Sequence, residues 1–333
     1  MKKNPLGKSK LLVSPITFGA WAIGGWMWGG SEKKDSIRAL HACLDHGITS
    51  IDTAPIYGFG QSEQIVGEAI KGKRDQYEIM TKAGMRWKNT LGEYFFTTTD
   101  NDGKQREVYN YSGRDSIIAE CEDSLRRLGT DYIDLYQIHY PDITTSIEEP
   151  MEAFQTLLDQ GKIRAAGVSN YSLDQMKLAD GAVLLSSNQL PYSMVRREIE
   201  EDIVPWCLEN SCGILAYSPL QRGLLTGKIT ADHSFAPGDT RPDTPHYKRD
   251  NLVKINQFLD DIRPLAEEKG ATLSQLVIAW TLRQPGITVA LVGARNETQV
   301  IENAGAASVE LSESEVGMIN AKLETLKPKL EIE

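Results

Sequence analysis

The chain has 333 residues with 36 basic and 46 acidic side chains, a net charge of −10. That balance speaks against nucleic acid or anionic membrane as partners, which need a basic footprint, but leaves room for a local basic pocket around a small phosphorylated ligand. At 41% hydrophobic and 25% charged residues it has the composition of an ordinary globular protein with ample material for a core.

The opening Met1-Lys2-Lys3-Asn4-Pro5 lacks the apolar stretch of a secretory signal, and no run is long enough to cross a bilayer. The expected location is therefore the cytoplasm. The four cysteines, Cys43, Cys121, Cys207 and Cys212, form no C-x-x-C pair and read as small buried apolar residues. No metal is expected.

Short apolar runs alternate with longer segments of helical period. After a basic lead-in, Ile16 to Ala20 is a first strand, followed by a loop rich in tryptophan and glycine (Trp21 to Gly30). Lys33 to His46 reads as a helix closed by Gly47. Thr49 to Ala54 is the second strand, Ser62 to Ile70 its helix and Tyr77 to Lys82 the third strand. A long polar segment, Arg86 to Tyr111, precedes the helix Arg114 to Leu128. Its run Thr97 to Gly103 suggests a mobile lid.

Tyr132 to His139 is the fourth strand, Ile147 to Gln160 its helix and Ile163 to Ser169 the fifth strand. A short helix over Leu173 to Leu178 leads to strand six, Ala182 to Gln189. Glu198 to Asn210 is helical and Gly213 to Tyr217 is strand seven. A Gly-, Pro- and Thr-rich loop, Arg222 to Tyr247, leads into helices Asn251 to Lys269 and Ser274 to Arg283. Strand eight is Val289 to Val292, and helices Glu297 to Ala304 and Glu313 to Leu326 close the chain.

Eight strands, each followed by a helical segment, describe an α/β fold, a (β/α)₈ TIM barrel with extra C-terminal helices and long loops at the C-terminal face. A doubly wound open sheet is the alternative. Eight units without a composition break favour closure, as one domain over residues 1–333.

In a barrel, functional groups come from the carboxyl ends of the strands. Those ends deliver Asp52, Lys82, His139, Ser169-Asn170, Gln189, Tyr217 and Arg295, with Tyr57 just beyond Asp52. Each alone has an ordinary structural explanation; their convergence on one rim points to chemistry. A phenol is too weak an acid to exchange protons readily at neutral pH. Lys82 beside it is expected to lower its pKa, Asp52 to hold and charge the lysine, and His139 to polarise a substrate oxygen. This set suits carbonyl reduction. Gly58-Phe59-Gly60-Gln61-Ser62-Glu63 offers a rival dinucleotide fingerprint, but Glu63 replaces the third glycine and the next strand ends at Lys82 rather than an acid.

Across nearly its whole length the chain resembles the aldo-keto reductases, NADPH-dependent carbonyl reductases built on a (β/α)₈ barrel. The resemblance rests on Leu6-Gly7-Lys8-Ser9, Asp52 through Gly58, Thr81-Lys82, Leu135 through Pro141, Gly167-Val168-Ser169-Asn170, Tyr217-Ser218-Pro219-Leu220, Gly223 through Lys228, and Gly293-Ala294-Arg295 through Asn303. It is nearest the bacterial general-stress and inositol-utilisation branch, and is similar to the potassium-channel β subunits.

The resemblance implies that Tyr57 is the proton donor, tuned by Lys82 and Asp52, and that His139 orients the carbonyl. Ala20, Trp21 and Asp52 would be among the residues that bind the cofactor. Ser169, Asn170 and Gln189 would bond the nicotinamide carboxamide, and Tyr217 would stack on the ring. Ser218, Pro219, Leu220, Gln221, Arg222, Lys228 and Arg241 would line the pyrophosphate channel. Arg295 and Gln299 would meet the adenosine 2′-phosphate and Glu302 and Asn303 the adenine, with Gly293 also among the cofactor-binding residues. Arg295 follows the last strand and precedes a helix, a position suited to an anion, so NADP(H) is the expected cofactor. Gly293 stands where many relatives carry a lysine, which leaves NAD(H) possible. Trp21, Trp26, Trp28, Trp87 and Tyr140 are expected around the pocket, which suits modest aldehydes and ketones. A monomer or weak homo-oligomer is expected. Two other readings are a polyol or sugar dehydrogenase and a regulatory module that binds NADPH.

Overall fold

The computed structural model describes residues 1–26, 32–235 and 239–332. Trp28 and Gly238 lie outside the described residues. Eight parallel strands close a barrel: β1 (Ile16–Gly19), β2 (Ser50–Asp52), β3 (Glu78–Ala83), β4 (Ile133–Ile138), β5 (Ile163–Ser169), β6 (Leu185–Pro191), β7 (Gly213–Tyr217) and β8 (Ile287–Gly293). Neighbours in sequence are neighbours in space, and closure comes from β8 on β1, where Ala290 pairs with Ile16 and Gly293 with Gly19.

The helices α1 (Lys33–Asp45), α2 (Gln61–Ile70), α3 (Arg114–Leu128), α4 (Glu148–Asp159), α5 (Leu173–Ala182), α6 (Ile203–Asn210), α7 (Arg249–Glu268), α8 (Leu273–Leu282), α9 (Glu297–Gly305) and α10 (Glu313–Leu326) complete the architecture. Burial in a barrel is two-sided, which is why its strands read as almost unbroken apolar runs. The outward side chains, such as Ile51, Ile79, Tyr136 and Val168, pack with the helices in the main core. The interior floor is a separate cluster of Met80, Leu135, Ala165, Leu215 and Val289.

The basic lead-in is itself structured. Asn4–Pro5 and Leu12–Val13 form a small antiparallel hairpin, and its Leu6, Leu11 and Val13 belong to the floor cluster. The hairpin thus plugs the barrel at the end opposite the strand carboxyl termini. Gly7 makes this possible: its φ is +56°, and a Cβ there would meet the Ser186 carbonyl oxygen at 2.2 Å.

The long polar segment Arg86 to Tyr111, expected as a loop, contributes instead to a three-stranded antiparallel sheet. Met85–Arg86 and Glu93–Thr99 both pair with Gln105–Asn110. Tyr94 to Thr99 is an aromatic and β-branched run that favours strand, and Asp100 to Gly103 supplies its turn. Smaller differences fall at element ends: α5 runs to Ala182, and Glu198 to Asn210 divides into a 3₁₀ turn (Glu198–Glu200) and α6. Among the described residues, no helix is long and apolar enough to cross a membrane.

Candidate active site

Strand register brings the polar groups together at the carboxyl end of the barrel. Asp52 pairs with Met80 at the end of β2, Lys82 lies beside Gln137 across β3 and β4, and Ser169 lies beside Gln189 across β5 and β6. Lys82 is fully buried and donates from Nζ to Asp52 Oδ1 at 2.6 Å, to the Thr53 carbonyl at 3.0 Å and to Tyr57 Oη at 3.2 Å. The other oxygen of Asp52 accepts from Gln189 Nε2 at 2.9 Å and Gln137 Nε2 at 3.4 Å. A charge pair this deep is tolerable only because its remaining donors and lone pairs are also satisfied.

The expected lowering of the Tyr57 pKa is not what the structure gives. Burial pushes the phenol well above its ordinary range, and the Asp52 and Tyr140 charges push it the same way. Burial is the first cause, because it removes the water that would solvate a phenolate; the Lys82 ammonium, closer to the Asp52 carboxylate than to the phenol, does not offset it. Burial also lowers Lys82, against the pull of Asp52. His139 is pushed well below its ordinary value, by burial first and then by the Lys82 charge. The site therefore presents a protonated phenol and a neutral imidazole, with the rings 5.8 Å apart and nearly perpendicular. Such a pair is chemically able to give a proton and to polarise an oxygen.

A second network joins the nicotinamide candidates. Tyr217 Oη donates to Asn170 Oδ1 at 2.9 Å, and Asn170 Nδ2 donates to the His139 carbonyl at 3.0 Å and to Ser169 Oγ at 3.1 Å. Ser169 Oγ donates to the Gln189 carbonyl at 2.9 Å. Asn170 holds its position at φ +61°, a conformation that asparagine tolerates better than most residues. Ala20 is bound at the same rim, its amide donating to the Asp52 carbonyl at 2.8 Å.

After β7 the chain turns tightly through Gln221–Thr226, with positive φ at Ser218, Gln221, Arg222 and Gly223. Backbone of this shape makes concavities that suit anions. Tyr247 holds the turn, donating to the Gln221 carbonyl at 2.6 Å and the Arg222 carbonyl at 3.1 Å. Arg222 Nη2 reaches Thr240 Oγ1 at 2.8 Å, and Arg241 reaches the Arg222 carbonyl at 3.4 Å. The Arg241 guanidinium also clasps Asp239 and holds its carboxyl down at about 2. Pro219 is buried, Leu220 is half-buried, and Lys228 is exposed at the end of the turn.

Around the β8–α9 turn, Arg295 and Gln299 are exposed, and the Arg295 amide donates to Gln299 Oε1 at 2.8 Å. Asn303 Nδ2 donates to the Gly293 carbonyl at 3.3 Å. Glu302 faces α8: its carbonyl accepts from Gln275 Nε2 at 2.9 Å, and its carboxylate accepts from the Thr272 hydroxyl at 3.4 Å. A Cβ on Gly293 would meet only the Gly19 carbonyl, at 3.7 Å, so this corner leaves bare backbone open to a ligand. Amide donors at the barrel centre, a left-handed turn beside two arginines, and a capped helix N-terminus suit an extended dinucleotide.

Aromatic rings surround Tyr57. Trp21 stacks on it at 6.1 Å, Tyr140 stacks on His139 at 5.6 Å, and Phe59 meets Trp87 edge-on at 5.4 Å. Residues that the sequence reading missed complete the set. Phe96 stacks on Trp26 at 6.0 Å and Phe95 leans on Tyr140 at 4.9 Å, both from the mouth sheet. Gln137 and the Thr53 carbonyl were also missed. Gln137 was discoverable, since it lies two residues before His139 and shares its inward face.

The sequence matches the model of the aldo/keto reductase family over residues 15–324. It is similar to aldo-keto reductase YhdN of Bacillus subtilis, 42% identical over 303 residues that cover 90% of this chain and 87% of that one. It is 36% identical over 336 residues to the NADH-specific methylglyoxal reductase of Escherichia coli, covering 98% of this chain and 100% of the other. Among solved structures, the glycerol dehydrogenase of Gluconobacter oxydans superposes with a TM-score of 0.88 at 38% identity, covering 98% of this chain and 96% of that one.

Proposed function

The chain belongs to the aldo/keto reductase family and is an NAD(P)H-dependent oxidoreductase, and on that premise we propose that it reduces small aldehydes and ketones to alcohols with NADPH preferred and Tyr57 as general acid. The observation that carries this reading is the Tyr57 hydroxyl held 3.2 Å from the Lys82 ammonium, which Asp52 in turn fixes at 2.6 Å.

A reduced nicotinamide, when bound, supplies the hydride to the carbonyl carbon. The chain supplies the rest. His139, neutral and beside the phenol, hydrogen-bonds the substrate oxygen and polarises it. Tyr57 Oη gives its proton to that oxygen as negative charge develops there, and the phenolate left behind faces the Lys82 ammonium. Ser169, Asn170 and Gln189 would hold the nicotinamide carboxamide, and Tyr217, tied to Asn170, would pack on the ring. Ser218, Gln221, Arg222 and Arg241 would hold the pyrophosphate, with Lys228 at the exposed end of their turn. Arg295 and Gln299 would meet the adenosine phosphate, with Glu302 and Asn303 toward the adenine.

Reduction takes up a proton and oxidation, the direction named for the Gluconobacter relative, releases one, so oxidation is expected to gain as pH rises. The test is consumption of NADPH and of NADH, side by side, against a series of aldehydes and ketones. Turnover with a higher kcat/KM for NADPH supports the proposal. Tight cofactor binding without turnover of any carbonyl would remove it in favour of a regulatory role, and a preference for NADH would overturn the role given to Arg295.

A further inference from the structure

The tip of the mouth hairpin is built to present one side chain. Asp100 accepts backbone amides from Asp102 at 3.0 Å and Lys104 at 2.9 Å, and pairs with Arg106 Nε at 2.7 Å. The turn between Glu93–Thr99 and Gln105–Asn110 is thereby fixed, and Asn101 projects from it onto the barrel. Asn101 Nδ2 donates to the Gly24 carbonyl at 2.9 Å and also to Gln61 Oε1. A carbonyl can only accept, so the Gly24 contact settles which end of the amide faces the barrel.

The landing point lies against the catalytic loop. A Cβ on Gly24 would meet the Tyr57 carbonyl oxygen at 2.7 Å, and one on Gly58 would meet the Gly24 carbonyl oxygen at 2.0 Å. The backbone that receives Asn101 is thus in contact with the backbone that carries Tyr57. Between tip and base, the hairpin lays Phe96 on Trp26 at 6.0 Å and Phe95 on Tyr140 at 4.9 Å, and Thr98 accepts from Trp26 Nε1 at 3.0 Å. The base is held separately, with the Gly84 amide on Glu120 at 3.0 Å and the Tyr111 amide on the Gly84 carbonyl at 2.9 Å.

We propose that Asn101 is a positioning residue for substrate: by clasping the hairpin tip to Gly24 and Gln61, it fixes Phe95 and Phe96 as an aromatic wall across the mouth and restricts the site to carbonyls with short substituents. This rests on the carbonyl-reductase reading above. From Tyr57 the rings run through Trp21 at 6.1 Å and Trp26 at 6.3 Å to Phe96, and from His139 through Tyr140 at 5.6 Å to Phe95, so the two ring pairs flank the place where a substrate oxygen would meet Tyr57 and His139. A long or branched chain has to displace one of these ring pairs. Freeing the tip lets the wall give way, which weakens the grip on small substrates and admits large ones.

The test compares the wild-type protein with Asn101→Asp, which keeps size and replaces the donor by a carboxylate facing two acceptors, and with Asn101→Ala. For a three-carbon aldehyde, KM should rise about tenfold in Asn101→Asp while kcat stays within about twofold. The ratio of kcat/KM for a branched aromatic aldehyde over that for the three-carbon one should rise by at least as much, with NADPH affinity unchanged. An unchanged ratio in both variants overturns the proposal. If the wild-type protein reduces no carbonyl, the functional reading fails, and amide hydrogen exchange of residues 94–99 and 105–110 tests the clasp alone. Faster exchange in Asn101→Asp supports the clasp; identical exchange overturns it.

Discussion

Asp52 is the residue on which the site balances. One of its oxygens holds the Lys82 ammonium and the other accepts from two glutamine amides, and both charged side chains are shut away from water. Asp52→Asn strands a buried ammonium, and denaturant unfolding should show a loss of about 3–5 kcal/mol. Asp52→Asn with Lys82→Met removes the stranded charge and should recover most of that stability without restoring activity. His139 gives a prediction in pH. Its folded pKa lies below the ordinary 6.5, so the unfolded chain binds more protons as pH falls. The resulting stability is complete above 6.5 and is lost as pH drops toward the lowered folded value, with a slope of up to about 1.4 kcal/mol per pH unit. Denaturant midpoints at pH 7 and pH 5 should therefore lie closer together in His139→Gln than in the wild type. The four candidate catalytic side chains were legible because each is a polar or aromatic group at or just after the end of an apolar strand. The state of Tyr57 was not legible, because it depends first on how deeply the phenol is buried and then on the Asp52 charge beside it, neither of which sequence spacing carries.

Among the elements, α2 shows why the glycine-rich turn after β2 is no dinucleotide fingerprint. Glu63, at the place a third glycine would take, is fully buried and bridges Thr81 of β3 at 2.7 Å and Arg127 of α3 at 2.6 Å. Gly60 leaves space for that arginine, since a Cβ there would meet Arg127 Cδ at 2.9 Å. Arg127→Met would leave a buried carboxylate hydrogen-bonded to Thr81, the residue before Lys82. The expected loss is about 3 kcal/mol or more, read as a lower denaturant midpoint. If the midpoint does not move, the bridge has no structural weight. The mouth sheet carries the clearest misreading. Its threonines and acids look like a mobile loop when counted by polarity. Alternation and β-branching over Tyr94 to Thr99, followed by an Asp-Asn-Asp-Gly turn, were the signals that describe what is there. The aromatic wall was missed with it, since Phe95 and Phe96 acquire meaning only once the hairpin folds back on Trp26 and Tyr140.

For the molecule as a whole, closure of β8 on β1 and the plug formed by Leu6, Leu11 and Val13 tie the two ends of the chain into one body. We expect a single cooperative unfolding transition, followed in parallel by tryptophan fluorescence and far-ultraviolet circular dichroism. Two separated transitions would contradict a one-domain chain. Barrel closure followed from the count of strand–helix units, because each βα repeat leaves its own trace of period and turn. The plug did not, because its strands are two residues each and its apolar residues do not alternate far enough to show a period.

The most direct test of the proton-transfer reading is Tyr57→Phe, a change that removes one oxygen. NADPH affinity should stay within about twofold, while kcat for aldehyde reduction should fall by about 10²–10⁴-fold, the contribution expected of a positioned general acid. A variant that binds NADPH normally and reduces aldehydes at the wild-type rate would show that the proton comes from elsewhere.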